Sequence, residues 1–335
     1  MFRTAAAVVI SLCLSTAFAG AAGVEFIEVP ADGAGPKLTA TVWSPCAAPD
    51  QSTKIDGGVA GFGASNLGVL IGAKNCPIAG DKLPLIVISH GRTGWFGGHK
   101  DTAAALVDAG FVVAAVNHPG DSAFDHSRQD ELSVLVERPA DIKRLVDFLL
   151  GAWPNAPKID RERIGLFGFS MGGYTGLVVI GGNPDFRKGL AGCKGSDFRA
   201  CQQLESGELP ALPLVHDPRI KAAVLADPGL GFLFQVNNLR EVKTPIQLWS
   251  SDPKLGADHL SGCCAAGINQ RLPAKPEYHL VPNAVHFAFL ARCAPQDVRD
   301  FPRICTDAAG FDRSAFHHSF HAEMVRFFRQ YLSFN

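Results

Sequence analysis

Residues Gly168-Phe169-Ser170-Met171-Gly172 set one serine between two glycines. A serine hydroxyl becomes a useful nucleophile only when a base takes its proton. The G-x-S-x-G spacing is informative where a strand runs into it and a helix leaves it, because that geometry projects the serine from a strained turn. Both flanks have that character. "RIGLFGF" (163–169) carries an apolar run up to the serine, and "MGGYTGLVVIGG" (171–182) continues as a helix rich in small residues. A second stretch, "VISHGRTGW" (87–95), ends another apolar strand in His90-Gly91. Glycine there lets backbone approach a substrate closely. The amides of Arg92 and Met171 are the expected donors to an oxyanion, the second at a helix N-terminus. His90, directly after the strand and beside Gly91, suits ordering of that loop better than proton transfer.

A base for Ser170 must be sought among 11 histidines. Where the chain order is Ser, acid, His, the base follows the last strand, and "EYHLVPNAVHFAFL" (277–290) offers His286 on the loop after it. His279 lies inside that strand and reads as structural. His317, His318 and His321 lie on a closing helix and read as surface or packing residues. The pair His317/His321 has H-x-x-x-H spacing but lacks the glutamate that follows the first histidine in zinc peptidases. Three aspartates compete to orient His286: Asp227 at the end of "IKAAVLAD" (220–227), Asp252 after "TPIQLWSS" (244–251), and Asp258 in the next loop. The more frequent arrangement places the acid after the strand at 244–251, which favours Asp252 or Asp258.

The elements that must position these groups alternate. Strands are expected at 38–43, 83–89, 111–117, 163–169, 220–227, 244–251 and 277–283, with helices at 99–110, from Pro139 to 152, after Ser170 and at 314–332. Such alternation implies an α/β fold with a mostly parallel sheet between helical layers. Two segments interrupt it, the Gly-rich 44–82 and a long connection at 184–218. The second has the length of a lid that would cover the site. Residues 20–335 read as a single domain with these insertions.

The amino terminus combines Arg3, a short apolar run from Ala5 to Leu14 and Ala17-Phe18-Ala19. This is the tripartite pattern of a cleaved export signal over residues 1–19. The run is too short for a stable membrane anchor, so the expected location is secreted or periplasmic. Of nine cysteines, Cys13 leaves with the signal. The remaining even number in an exported chain argues for disulfides. Proximity favours Cys46–Cys76, Cys193–Cys201 and Cys293–Cys305, with Cys263 and Cys264 bonded to each other or free. Lys+Arg is 31 against Asp+Glu 32, a net charge of −1. That balance gives no reason to expect nucleic acid or an anionic membrane as partner.

Taken together, "LPLIVISHGRTG", "GFVVAAVNHPGDSA", "DRERIGLFGFSMGG" and "VPNAVHFAFL" resemble the α/β-hydrolase superfamily. Within it they resemble the bacterial dienelactone-hydrolase-like group related to secreted platelet-activating-factor acetylhydrolase. The resemblance spans about residues 80–335 apart from 184–218, with the motifs in the family's order. It implies an α/β-hydrolase fold and, by analogy with the acetylhydrolases, an acid at Asp227, ahead of Asp252 and Asp258. Dienelactone hydrolases carry cysteine as nucleophile, so Ser170 points away from dienelactones and toward general ester hydrolysis. The expected activity is cleavage of small, short-chain carboxylic esters through an acyl-enzyme, with no cofactor or metal. "PGLGFLFQV" (228–236) either lines an acyl pocket or belongs to the core. A serine peptidase of the prolyl-oligopeptidase type shares these motifs, although the short segment before residue 83 leaves no room for a propeller. A non-catalytic exported binding protein on the same fold is the other alternative.

Overall fold

The computed structural model describes residues 22–47, 52–58, 66–193, 197–210, 214–258 and 261–332. The expected export signal lies outside them. Ten strands form one sheet: β1 (Gly23–Val29), β2 (Leu38–Ser44), β3 (Thr53–Asp56), β4 (Val69–Lys74), β5 (Leu83–Ser89), β6 (Val112–Asn117), β7 (Ile159–Phe169), β8 (Ile220–Ala226), β9 (Ile246–Ser250) and β10 (Glu277–Leu280). Their order is β10-β9-β8-β7-β5-β6-β2-β1-β4-β3. From β10 through β6 every pair is parallel; β2 pairs antiparallel with both β6 and β1. The helices are α1 (Lys100–Asp108), α2 (Leu132–Leu150), α3 (Met171–Val179), α4 (Arg199–Ser206), α5 (Val236–Leu239), α6 (Ala265–Arg271), α7 (Pro295–Asp300), α8 (Pro302–Cys305) and α9 (Arg313–Tyr331).

The central strands read as unbroken apolar runs because both faces are covered. Along β5, Leu85 and Val87 join the core under α2 and α3, while Ile86 and Ile88 join the core under α1 and α9. Alternation of side chains along a strand sends successive residues to opposite layers.

Two departures from the expected elements have physical causes. Helix α2 begins at Leu132, seven residues before the proline expected to open it, so Pro139 lies inside it. Proline cannot donate to the carbonyl four residues back. That carbonyl, of Leu135, instead accepts from the Tyr174 hydroxyl at 3.2 Å. Segment 44–82 is also more than a loop: it supplies β3 and β4, and β4 pairs in parallel with β1. The disulfide Cys46–Cys76 closes it. The other bonds are Cys193–Cys201, Cys263–Cys264 and Cys293–Cys305. Four disulfides fit an extracellular protein. Among the described residues no helix is long and apolar enough to cross a membrane.

Candidate active site

Strand β7 delivers Ser170 to the carboxyl edge of the sheet, and α3 starts at the next residue. Ser170 has φ 55° and ψ −117°, a region a residue with a Cβ occupies only when its surroundings over-determine it. The glycines at both ends of the motif make the turn fit. A Cβ on Gly168 would lie 2.2 Å from the Gly172 carbonyl oxygen, and one on Gly172 would lie 1.9 Å from the Ser89 carbonyl oxygen.

His286 opens a short 3₁₀ turn (His286–Phe289) after β10. Its Nε2 lies 2.9 Å from Ser170 Oγ and its Nδ1 2.6 Å from Asp227 Oδ2. Of Asp227 and Asp252, Asp227 is therefore the one that faces His286. Its carboxylate also accepts from the Ser251 hydroxyl at 2.6 Å and the Ser251 amide at 3.2 Å. Ser251 Oγ in turn accepts the Gly262 amide, and Ser261 Oγ accepts the His286 amide. Ser251 and Ser261 carry no local motif, which is why the sequence did not single them out. Asp252 is turned elsewhere. Its carboxylate accepts the amides of Lys254 and Asn283, and those bonds hold its pKa below the ordinary value. It thereby clips the loop that leads to His286. The backbone of Asp258 ends a short turn (Pro253–Asp258), and its side chain lies outside the described residues. His279 is stacked on Trp249 at 4.1 Å between ring centres and bonded to Glu277.

The loop after β5 lies against Ser170: a Cβ on Gly91 would be 3.3 Å from that of Ser170. No acceptor among the described residues takes the amide of Arg92 or of Met171. His90 spends both ring nitrogens on backbone, Nδ1 donating to Gly91 O and Nε2 accepting from the His118 amide. Burial, reinforced by the nearby Arg138 charge, holds its pKa well below the ordinary histidine value, which keeps it neutral in this role.

Beneath the loop is a buried polar cluster that sequence reasoning did not pick out. Arg138, 1% exposed, pairs with Asp121 at 2.6 Å. It also donates to Thr175 Oγ1, Ser89 Oγ and the His90 carbonyl. Asp121 accepts the Thr93 amide at 2.8 Å. A buried charge needs such full pairing, and here the pairing holds both ends of the loop. Its sequence signal was present in "NHPGD" (117–121) and in charged residues on an otherwise apolar helix, but neither says that the two meet.

A cavity of about 410 Å³ opens over Ser170 and His286. Its apolar wall includes Leu67, Trp95, Phe287, Leu290 and Ile304. This wall differs from the expected one. Pro228–Val236 does not line it; Leu233 and Phe234 are buried in the core, while Phe232 and Val236 are exposed. The described residues of 184–218 do not line it either. They pack beside α2, where the Ala200 amide reaches Asp130 O and Gln203 accepts the Leu132 amide. Phe198 sits under the Arg92 guanidinium at 5.6 Å. The wall comes instead from segment 44–82 (Leu67), the loop after β5 (Trp95), the turn that starts at His286 (Phe287, Leu290) and the stretch closed by Cys293–Cys305 (Ile304).

A mostly parallel sheet with a strained serine between strand and helix, and a histidine and an aspartate on later loops, is the arrangement of the α/β-hydrolase fold, and this chain has that fold. The model of the dienelactone hydrolase family matches residues 68–229. Among solved structures, the fold is similar to a ferulic acid esterase from Streptomyces cinnamoneus (16% identity, TM-score 0.64, 93% of this chain and 90% of that one). It is also similar to a dienelactone hydrolase from Anabaena variabilis (13%, 0.51, 92% and 98%). A third likeness is to an acylaminoacyl peptidase of Pyrococcus horikoshii (15%, 0.52), where 94% of this chain matches 42% of that one. No significant match is found among curated protein sequences.

Proposed function

We propose that this protein is an exported serine hydrolase acting on carboxylic esters, with Ser170 as nucleophile, His286 as general base and Asp227 as the acid that orients it. The observation that carries this reading is the continuous chain Asp227–His286–Ser170, with contacts of 2.6 and 2.9 Å, at the floor of the cavity. Ser170 attacks the ester carbonyl while His286 Nε2 takes its proton. Asp227 stabilises the imidazolium through Nδ1. The amides of Arg92 and Met171 receive the oxyanion, and their lack of another acceptor supports that role. His286 then protonates the leaving alcohol, and water releases the acyl group by the same steps in reverse.

A cavity of about 410 Å³ with an apolar wall lies toward the small end of ligand sites, which supports short acyl groups. The A-x-A sequence ending at Ala19 and the four disulfides support export; the mature chain is expected to begin at Gly20.

The test is a panel of p-nitrophenyl esters of increasing acyl length beside a peptide anilide, with a fluorophosphonate label read by mass spectrometry. Short esters should be cleaved fastest and the label should sit on Ser170. Preferential cleavage of the anilide would replace the esterase reading with a peptidase. Absence of both turnover and label in folded protein would leave a binding scaffold.

A further inference from the structure

The H-x-x-x-H pair of the last helix is not a surface feature. His317 and His321 stand one helical turn apart on α9, on the side packed against α1. Helix α1 brings Asp101 to them from 216 residues away in the chain. One ligand atom from each of Asp101, His317 and His321 lies within 4.8 Å of the others. Tetrahedral ligands at zinc-like bond lengths sit about 3.3 Å apart, so small side-chain rotations close the set around one ion.

The outer contacts fit the same purpose. The second ring nitrogen of a metal-bound histidine usually donates to a carbonyl, which fixes the tautomer. His317 Nε2 lies 2.7 Å from the carbonyl oxygen of Ala288, and this leaves Nδ1 facing Asp101 Oδ2 at 2.5 Å. His321 Nε2 is held by Thr102 Oγ1 at 3.0 Å, and the other oxygen of Asp101 accepts the Thr102 amide. The Asp101 side chain is 30% exposed, which gives an ion and one water ligand a way in from solvent.

We infer that Asp101, His317 and His321 form a binding site for a divalent transition-metal ion, with Zn²⁺ the best match to two imidazoles and one carboxylate. On binding, Zn²⁺ takes the place of the proton between His317 Nδ1 and Asp101. That proton leaves to solvent, while Nε2–H keeps its bond to Ala288. The ion touches no reacting atom. It clamps α1 to α9 and, through Ala288, tethers the turn that starts at His286.

Titration calorimetry with Zn²⁺ on the EDTA-stripped, disulfide-intact protein tests this. One ion per chain is expected, with a higher melting temperature on binding and no comparable effect of Mg²⁺. Asp101→Asn and His321→Gln should each weaken Zn²⁺ binding at least tenfold and abolish the thermal shift. His321→Gln is the milder change and keeps a side chain able to bond Thr102. His318→Gln, on the exposed side of the same helix, should bind like the wild type. No stoichiometric uptake by the wild type overturns the inference. So does unchanged affinity in folded Asp101→Asn and His321→Gln proteins, since the ion would then sit elsewhere.

Discussion

The molecule contains two Ser–His–Asp chains with the same atomic connectivity. In one, Ser170 Oγ meets His286 Nε2 at 2.9 Å and Asp227 meets Nδ1 at 2.6 Å. In the other, Ser89 Oγ meets His118 Nε2 at 2.9 Å and Asp141 meets Nδ1 at 2.9 Å. The second chain lies beneath the first. Ser89 and His118 are fully buried, and Ser89 Oγ also accepts from Arg138. Ser89 is not among the residues that line the cavity over Ser170, and its backbone is an ordinary strand residue paired to β7. Hydrogen bonding alone therefore does not distinguish the serine proposed as nucleophile from the other. What Ser170 has in addition is a strained turn that projects it, a cavity in front of it, and two amides that no acceptor among the described residues takes. The Ser89 chain satisfies buried polar groups and supports the loop that carries Arg92.

The largest expected effect separates the two serines. Ser170→Ala should lower kcat for a p-nitrophenyl ester by about 10⁴–10⁶. Ser89→Ala should stay within about tenfold, because it removes support and not the attacking atom. Equal losses in two folded variants would erase the distinction. Next come the acids. Asp227→Asn should cost on the order of 10⁴ in kcat by leaving His286 in the wrong tautomer. Asp252→Asn should cost far less, since its carboxylate holds only a loop. Rates for the two at one pH decide this, and a larger loss at Asp252 would move the acid assignment.

The third prediction concerns the support beneath. Arg138→Met leaves Asp121 buried without its partner, which typically costs about 3–5 kcal/mol. Urea denaturation should read a loss of that size. The same variant should lower kcat more than a surface arginine change does, because the carbonyl of His90 loses its donor.

The smallest effect is a pH slope. Burial, with the Arg138 charge adding, holds His90 and His118 well below the ordinary value of 6.5. The unfolded chain therefore takes up two protons near pH 6.5 that the folded chain refuses. The stability from those groups is present above that pH and lost as pH falls. Asp141 works in the opposite sense. Burial raises its carboxyl from 3.8 to about 7, so its contribution is present at low pH and lost as pH rises through 7. Two sites against one leave a net uptake of protons on unfolding, so stability should fall as pH falls below about 6.5. Asp141→Asn removes the opposing group and should steepen the slope; a flatter one in denaturant titrations would contradict the balance.

Much of this was legible in the residues themselves. The serine motif, the His-Gly loop and the apolar runs are local patterns, and local sterics and side-chain alternation dictate them wherever they occur. The parallel pairing among β5 to β10 agrees with the alternation of strands and helices, whereas the order of the strands is seen only in the structure. Proximity in the chain also pointed to three of the cysteine pairs that the structure contains, because short loops close easily. Pro139 shows the limit of such rules. As a helix opener it was a sound local reading, and only the Tyr174 hydroxyl, 39 residues away in sequence from the carbonyl it satisfies, made the longer helix tolerable.

Tertiary structure alone decided the rest, since it turned on which distant loops meet. Asp227 and Asp252 have similar local settings, and they differ in what each carboxylate meets: His286 for the first, the loop amides of Lys254 and Asn283 for the second. The cavity wall came from Leu67, Trp95 and residues 287–304, not from the described residues of 184–218 or from 228–236, because packing against α2 and the core claimed the latter two. His317 and His321 were a weak motif until α1 placed Asp101 beside them. In each case the sequence named the chemistry a residue can do, and the distance to its partner determined whether that chemistry has a counterpart.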